Sequence, residues 1–283
     1  MSQPLLLGAV AYDPKVVTIW DGFQRWFAQR GLPFDYVLYT NYERQVAQHA
    51  ARAIDVAWNS PLAWLQAEAI AAPRGLQARA LAMRDTDQDL TTVTLVRAAA
   101  PYRSLADLRG ATIGVGASDS PQATLLPLLH LAEAGVAPER DCQVRRFDVL
   151  VGKHGDHIGG EREAARALLK GTVDAACVLD ANSLLFARDG TLPAGSVRVL
   201  ATTPAFDHCN FTWLGTGTPP ARVQRFTELL LSMSYDDPEV RPLLDLEGLR
   251  AWRPGRTSGY AALARACARF GALQPFLQQM AAS

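Results

Sequence analysis

The sequence predicts an α/β protein made of two lobes that a two-strand hinge joins. Short apolar runs alternate with longer segments of helical periodicity along the chain, which is typical of α/β sheets. Residues 102–115 combine a polar crossover, a short helix, a glycine turn and an apolar strand, so we expect a second lobe to start there. With 49% hydrophobic residues among 283, the chain can bury a sizeable core.

The first lobe is predicted to alternate strands and helices around a mainly parallel sheet. Strands are predicted at residues 5–10, 34–39, 54–58, 76–82 and 90–97. Helices are predicted at residues 16–29, 42–52 and 61–71. Gly31 stands at the position of a glycine that ends the first helix.

The second lobe shows the same alternation. Strands are predicted at residues 112–115, 143–147, 175–179 and 197–202. Helices are predicted at residues 121–134, 161–170 and 181–188. After Pro219 and Pro220 the chain is predicted to be helical at residues 222–234, 238–244 and 259–270, and we expect these helices to pack on the first lobe.

Two chain crossings are expected, near residues 101–104 and near residues 201–204. They assign residues 1–101 and 203–283 to lobe 1 and residues 102–202 to lobe 2, with a ligand cleft between the lobes. Lobes joined in this way can open and close about a few backbone torsions, and a ligand that touches both stabilises the closed form.

Charge and hydropathy exclude several partners. The 28 basic and 28 acidic residues give a net charge of zero, whereas nucleic acids and anionic membranes need a basic surface. No apolar run approaches the roughly 18 residues of a membrane-spanning helix. We therefore expect no nucleic-acid partner and no membrane insertion.

The first ten residues lack a basic segment, a long apolar segment and a cleavage site. This predicts a cytoplasmic protein, with the periplasm as the alternative if a signal segment has been removed. The four cysteines are scattered and predict reduced thiols, not a disulfide framework: Cys142, Cys177, Cys209 and Cys267.

Several short motifs carry a resemblance that extends over essentially the whole chain. They are DVAWNSP at residues 55–61, SLADLRG at 104–110, LLP at 125–127, ALLKGTVDAA at 167–176 and DP at 237–238. The chain resembles the phosphonate/phosphite-binding protein family of ABC importers, which has the type II periplasmic-binding-protein fold of two Rossmann-like lobes. The resemblance implies a solute-binding protein that closes on a small molecule, with an ABC permease or a sensor protein as partner.

The residues expected at the anion site depart from this family. There, a Ser-Thr-Ser-Gly run opens the helix and grips the phosphonate oxygens. Counting back from Pro127 assigns these positions to Ser120, Pro121, Gln122 and Ala123. Pro121 has no N–H, Asp119 adds a negative charge, and Glu161 stands where the family has a histidine. We therefore expect a ligand that is not a phosphonate but is amine-bearing, neutral or metal-linked.

Three ligand candidates lie in lobe 1. Tyr12, Asn59 and Ser60 follow predicted strand ends, where α/β clefts bind ligands. Ser60 is equally suited to cap the helix that Pro61 starts. Arg256 is expected to pack on lobe 1 and to pair with an acidic group.

The remaining ligand candidates lie near the hinge or in lobe 2. They are Thr92, Ser118, Asp119, Ser120, Gln122, His157, Glu161 and Asp180. For Thr92 the alternative is a half-buried strand residue, and for Ser118–Ser120 and Asp180 it is a helix cap. In the family an acidic residue near Asp180 faces an amine, so the resemblance implies an amine contact there.

Histidines and one cysteine are candidates for a metal or for catalysis. His154 and His157 lie in a glycine-rich loop, and His208 precedes Cys209, so imidazole and thiolate ligands for a divalent metal are available. The alternatives are solvated loop histidines and a buried cysteine beside a histidine that the backbone satisfies. No cofactor is otherwise expected.

Two functions remain open from the sequence. The first is a non-catalytic solute-binding protein. The alternative is a cytoplasmic enzyme on the same fold, of lyase or decarboxylase type, with His154 or His157 as acid and base and Asp119, Glu161 or Cys209 assisting.

Overall fold

The structure is a computed structural model that describes residues 3–155 and 158–282. It is an α/β protein with two sheets, which confirms the predicted fold class. The chain divides into two compact units. Unit 1 comprises the described residues of Met1–Gln88, Asp207–Tyr260 and Leu273–Ser283, and unit 2 comprises those of Asp89–Phe206 and Ala261–Ala272.

The strands match most of the predicted positions to within one or two residues. They are β1 (Leu5–Val10), β2 (Phe34–Tyr39), β3 (Val56–Asn59), β4 (Gln77–Arg84), β5 (Thr92–Arg97), β6 (Thr112–Val115), β7 (Gln143–Arg146), β8 (Ala175–Leu179), β9 (Val197–Thr202), β10 (Asn210–Gly215) and β11 (Trp252–Pro254). The last two of these, β10 and β11, were not predicted.

The helices likewise follow the predicted pattern. They are α1 (Lys15–Gln29), α2 (Tyr42–Ala50), α3 (Pro61–Ala71), α4 (Leu126–Glu133), α5 (Gly159–Leu169), α6 (Asp180–Arg188), α7 (Ala221–Leu231), α8 (Arg241–Glu247), α9 (Ala261–Phe270) and α10 (Gln274–Ala281). Helix α10 was not predicted. One π-helical turn, Pro121–Leu125, leads into α4, so the predicted helix at residues 121–134 changes its hydrogen-bond pattern near its start.

The sheet of unit 1 is mixed, which corrects the expected mainly parallel sheet. Its strand order is β11-β4-β10-β3-β1-β2. Strands β1, β2 and β3 are parallel, whereas β10 runs antiparallel to both β3 and β4. Because residues 207–210 are polar, the apolar run of β10 that follows them was not recognised as a strand.

Aromatic side chains fill one face of this sheet. Phe27 lies between α1 and the sheet, with its ring centroid 4.9 Å from that of Phe34 and 5.2 Å from that of Phe226. The rings of Trp58 and Phe211 are 4.6 Å apart, so β3 and β10 share the same core. Large buried aromatic surface of this kind is a dominant source of folding free energy.

The strand order of the sheet in unit 2 shows that the first domain boundary lies earlier in the chain than predicted. Its order is β7-β6-β8-β5-β9, with β5 antiparallel to both β8 and β9. This pairing places β5 in unit 2, so the chain leaves unit 1 after Gln88 and not near residues 101–104. It returns after Phe206, a few residues beyond the expected 201–204.

Helix α9 is a further departure from the predicted domains. Residues Ala261–Ala272 belong to unit 2, whereas α7, α8 and α10 belong to unit 1 as expected. In unit 2, Phe270 packs against the core below β6, and Arg265 pairs with Glu133 of α4 at 3.4 Å. The chain therefore passes between the two units at four positions, twice as many as a two-strand hinge requires.

The four cysteines are buried and free, in agreement with the predicted thiols. Burial raises the pKa of the Cys177 and Cys267 thiols to about 12. Within the described residues, none of the helices combines the length and the apolar character needed to cross a membrane.

His49 of α2 makes unit 1 sensitive to acid. Burial lowers the pKa of its imidazole from the ordinary value of 6.5 to about 4. Between these pH values the imidazole of His49 is protonated in the unfolded chain but not in the folded chain. The free energy of unfolding therefore falls as the pH drops from about 6.5 towards 4. In the parent protein, the free energy of unfolding should fall between pH 7 and pH 4.5. In His49→Leu we expect this fall to be about 2–3 kcal/mol smaller, as measured by urea unfolding at both pH values. Equal losses in the two proteins would contradict the assignment.

Candidate functional site

In unit 2, the candidate site lies where two parallel neighbours, β6 and β8, end. The carboxyl ends of such strands form the edge at which open α/β sheets bind ligands. Ser120 follows β6 and is 1% exposed, and its Oγ accepts a hydrogen bond from the backbone N–H of Ala123 at 3.2 Å. Ser120 is thus the N-cap of the turn that Pro121 opens, the alternative that was considered beside ligand binding.

Gln122 occupies the next position of this turn and is also buried. Its Nε2 donates to the backbone oxygen of Gly155 at 2.6 Å, and its own backbone oxygen accepts from Oγ1 of Thr92 at 2.6 Å. Thr92 also takes part through its backbone N–H, which donates to Oγ1 of Thr203. The predicted ligand candidates Gln122 and Thr92 are therefore brought together, and both hold protein partners.

Glu161 lies on α5 and is 2% exposed. Its Oε2 accepts from the backbone N–H of Leu179 at 2.8 Å and from Nδ2 of Asn182 at 3.0 Å, while Oε1 lies 3.5 Å from Nε2 of Gln122. The carboxylate thus connects α5, the end of β8 and α6.

Asp119 faces the glycine-rich loop. Its Oδ2 accepts from the backbone N–H of Gly152 at 2.5 Å, and its buried Oδ1 has no hydrogen-bond partner among the described residues. The loop lies directly on the helical turn: a Cβ at Gly155 would come within 2.5 Å of both Ser120 Oγ and Gln122 Nε2. Since Gly155 also has a φ of +81°, only glycine fits this close approach.

The other predicted residues of unit 2 are placed differently. His154 is buried in the loop with a φ of +51°, not solvated. Ser118 is exposed and its backbone N–H donates to Asp148 at 2.7 Å, and Asp180 begins α6 with an exposed side chain. His157 lies outside the described residues.

In unit 1, Asn59 belongs to a chain of buried side-chain hydrogen bonds. Its Oδ1 accepts from Nε2 of Gln45, and its Nδ2 donates to Oγ1 of Thr212, both at 2.8 Å. Thr212 donates to Asn210 at 2.6 Å, and Asn210 donates to the Tyr260 hydroxyl at 2.9 Å. This chain ties α2, β3 and β10 to Tyr260, so the amide of Asn59 serves the interior of unit 1.

Tyr12 and Ser60, the other candidates of unit 1, lie at helix starts. Ser60 is buried, and its Oγ caps α3 by accepting from the N–H of Ala63 at 3.1 Å. Tyr12 is partly exposed and packs against the aromatic core. Asp13 accepts from the N–H of Lys15 at 2.8 Å and so supports the start of α1.

A second buried cluster of unit 1, here called the Asp87 cluster, consists of Arg84, Asp87, His208, Cys209 and Glu247. Arg84 donates to both oxygens of Asp87, at 2.6 and 2.9 Å, and to Oε1 of Glu247 at 3.3 Å. Although burial opposes it, the guanidinium lowers the pKa of Asp87 to about 2. His208 Nδ1 lies 3.4 Å from Asp87 Oδ1 and 3.1 Å from Cys209 Sγ.

The Asp87 cluster brings His208 and Cys209 together but does not include His154. Sequence reasoning missed Arg84, Asp87 and Glu247, although the RDTD run at residues 84–87 shows a basic and an acidic residue three positions apart. Arg256 was expected to pair with an acidic group, and in the structure this group is Asp207. Its two carboxylate oxygens accept hydrogen bonds from Arg256 Nε at 2.7 Å and Nη2 at 2.5 Å.

The contacts of Glu161 predict a structural role that can be measured. In Glu161→Gln, the amide oxygen can keep the contacts with Leu179 and Asn182, but the amide nitrogen then faces Nε2 of Gln122, which is also a donor, and the negative charge is lost. We expect a loss of about 1–3 kcal/mol in unfolding free energy, measured by urea unfolding. Glu163→Gln, on the same helix but with 43% of its side chain exposed, is the matched control and should change stability by no more than about 0.5 kcal/mol. Equal stabilities of the two variants would refute the role.

Comparisons with solved structures agree with the two-lobed fold. PhnD1 from Prochlorococcus marinus, in complex with methylphosphonate, matches with a TM-score of 0.69 and 16% identity over 95% of this chain and 98% of that one. A Xanthomonas citri protein bound to ATP matches with a TM-score of 0.69 and 19% identity over 98% and 99%. A binding protein component of an ABC phosphonate transporter from Pseudomonas aeruginosa matches with a TM-score of 0.61 and 14% identity over 99% of both chains.

No curated protein sequence matches the chain. A family model does: that of the ABC transporter, phosphonate, periplasmic substrate-binding protein, over residues 9–260. Since this match spans most of the 283 residues, the resemblance seen in the sequence is confirmed. The chain belongs to the family of phosphonate-type periplasmic substrate-binding proteins of ABC transporters.

Proposed function

We propose that this substrate-binding protein takes a small solute that is neutral or carries an amine, and that it delivers the solute to an ABC permease. The family supports the solute-binding role. The solved relatives are bound to methylphosphonate and ATP, which both carry phosphorus oxyanions, so a different ligand has to be argued from the residues of this chain.

The observation that carries the proposal is the lack of available hydrogen-bond donors in the helical turn at residues 120–122, among the described residues. A bound dianion would need several hydrogen-bond donors there. Pro121 has no N–H to donate, and the Nε2 of Gln122 is directed to the oxygen of Gly155. The loop at Gly155 also lies against Ser120 and Gln122, which leaves little room for a phosphonate group on this turn.

Charge supports the same conclusion. Asp119 directly precedes the turn, and the buried carboxylate of Glu161 lies 3.5 Å from the side-chain nitrogen of Gln122. Both would repel a dianion and favour a cationic or neutral group. Glu161 acts here through its charge from inside unit 2 and not through direct contact.

Closure of the two lobes on the solute about a hinge stays a prediction, and so does the cellular location. The comparisons give no support to the lyase or decarboxylase alternative.

A thermal-shift screen of the full chain tests the ligand class. Alkylphosphonates, alkylsulfonates, primary amines and neutral polar solutes would each be added at the same concentration. A solute present at 100 times its Kd stabilises the folded chain by about 2.7 kcal/mol. We expect the unfolding temperature to rise with an amine or a neutral solute and to stay unchanged with methylphosphonate. A rise with methylphosphonate and with no amine or neutral compound would overturn the proposal.

Variants of the acidic residue beside the turn sharpen this test. If the solute found is an amine, Asp119→Asn should weaken its binding by about tenfold, because a charge-assisted contact contributes about 1.5–3 kcal/mol. Asp148→Asn, also in unit 2, is the control, since its carboxylate binds the backbone N–H of Ser118. Isothermal titration measures both, and an amine that binds Asp119→Asn as tightly as the parent would remove Asp119 from the site.

A further inference from the structure

We propose that unit 1 carries a binding site for a zinc-like divalent cation, formed by Asp87, His208 and Cys209. These residues offer a carboxylate oxygen, an imidazole nitrogen and a thiol sulfur, which lie within 4.8 Å of one another. All three residues are buried, at 1%, 8% and 1% exposure. The inference concerns unit 1 alone and is independent of the solute proposed above.

The separations suit a shared ion. Zinc binds carboxylate oxygen and imidazole nitrogen at about 2.0–2.2 Å and thiolate sulfur at about 2.3 Å. In a tetrahedral shell, oxygen and nitrogen ligands are therefore about 3.3–3.6 Å apart, and a sulfur ligand lies about 3.5–3.7 Å from either of them. Asp87 Oδ1 and His208 Nδ1 are 3.4 Å apart, and His208 Nδ1 and Cys209 Sγ are 3.1 Å apart. To share one ion, the nitrogen of His208 and the sulfur of Cys209 would separate by about 0.5 Å, and the carboxylate oxygen of Asp87 lies within 4.8 Å of that sulfur. Nδ1 of His208 faces both other ligand atoms and is the nitrogen that would bind.

Neighbouring groups hold the ligands in place. Arg84 fixes the carboxylate of Asp87 through its two hydrogen bonds. The backbone of His208 is held on both sides: its N–H donates to the oxygen of Asp87 at 2.8 Å, and its carbonyl accepts from the Tyr260 hydroxyl at 2.7 Å. Outer contacts of this kind orient metal ligands and limit the reorganisation that binding costs.

The charges of the Asp87 cluster also point to a cation. Two carboxylates, those of Asp87 and Glu247, pair with the guanidinium of Arg84. The neighbouring pair of Asp207 and Arg256 is balanced. With Cys209 as a thiolate, the charges of Arg84, Asp87, Glu247, Cys209 and a divalent ion sum to zero. Binding forms a metal–sulfur bond and releases the thiol proton to the solvent.

The donor set selects the ion. A mixture of oxygen, nitrogen and sulfur donors suits zinc, whereas magnesium and calcium prefer oxygen alone. Three protein ligands leave a fourth position of a tetrahedral shell for water. The competing arrangement has no metal bound, and His208 Nδ1 then lies between Asp87 and Cys209 at hydrogen-bonding distances.

Zinc titration of the chelator-treated full chain tests the site. We expect one equivalent to bind, the unfolding temperature to rise, and Cys209→Ser to weaken zinc binding by about 100-fold or more. Cys267→Ser is the matched control, being a buried thiol outside the cluster, and should bind as the parent does. Circular dichroism before titration would show that each variant is folded.

Cobalt gives a second measurement that does not depend on the variants. Co²⁺ in this site should show thiolate-to-metal charge-transfer absorption in the parent protein and in Cys267→Ser, but not in Cys209→Ser. Failure of the parent to bind one zinc, or equal zinc binding by Cys209→Ser, would overturn the proposal and leave the metal-free arrangement. Repeating the solute screen in chelator keeps the two proposals separate, because solute binding that persists without metal concerns only the first.

Discussion

The insertion of β10 between β3 and β4 is the constraint on which unit 1 depends. The chain returns from unit 2 at residue 206 and pairs antiparallel with both strands, which completes the sheet. This pairing places Phe211 among the aromatic side chains and Thr212 beside Asn59. It also brings His208 and Cys209, just before the strand, to Asp87 at the end of the neighbouring segment. The hydrogen-bond chain through Asn59 and the Asp87 cluster therefore both depend on the pairing of β10.

In unit 2, the corresponding constraint is the helical turn that follows β6. Ser120 caps it, Gln122 links it to Gly155 and Thr92, and Glu161 fastens the end of β8 behind it. Three of the side chains expected to contact a ligand, those of Thr92, Gln122 and Glu161, thus belong to one hydrogen-bond network in the protein. A network of this kind holds the edge of the sheet in one conformation and sets the charge that an approaching solute meets.

The sequence was most informative where structure is local. Strands such as Leu5–Val10, Phe34–Tyr39 and Ala175–Leu179 were predicted with their observed bounds, because an apolar run between turn residues identifies a buried strand. The domain boundaries were less accurate. Thr92–Arg97 was placed in lobe 1, and only its pairing with β8 and β9 shows that it belongs to unit 2. Such pairing is a long-range property that no window of the sequence contains.

By itself, the sequence determined the α/β class, the family and which polar residues lie near the helical turn that follows β6. The tertiary structure decided what those side chains do: Asn59 bonds to Thr212, 153 residues away, and Glu161 bonds to Leu179 and Asn182. It also decided that Asp87 joins His208 and Cys209. The physical reason is that periodicity and turn residues act over a few positions, whereas the partner of a buried polar group is set by whichever distant segment the fold packs against it.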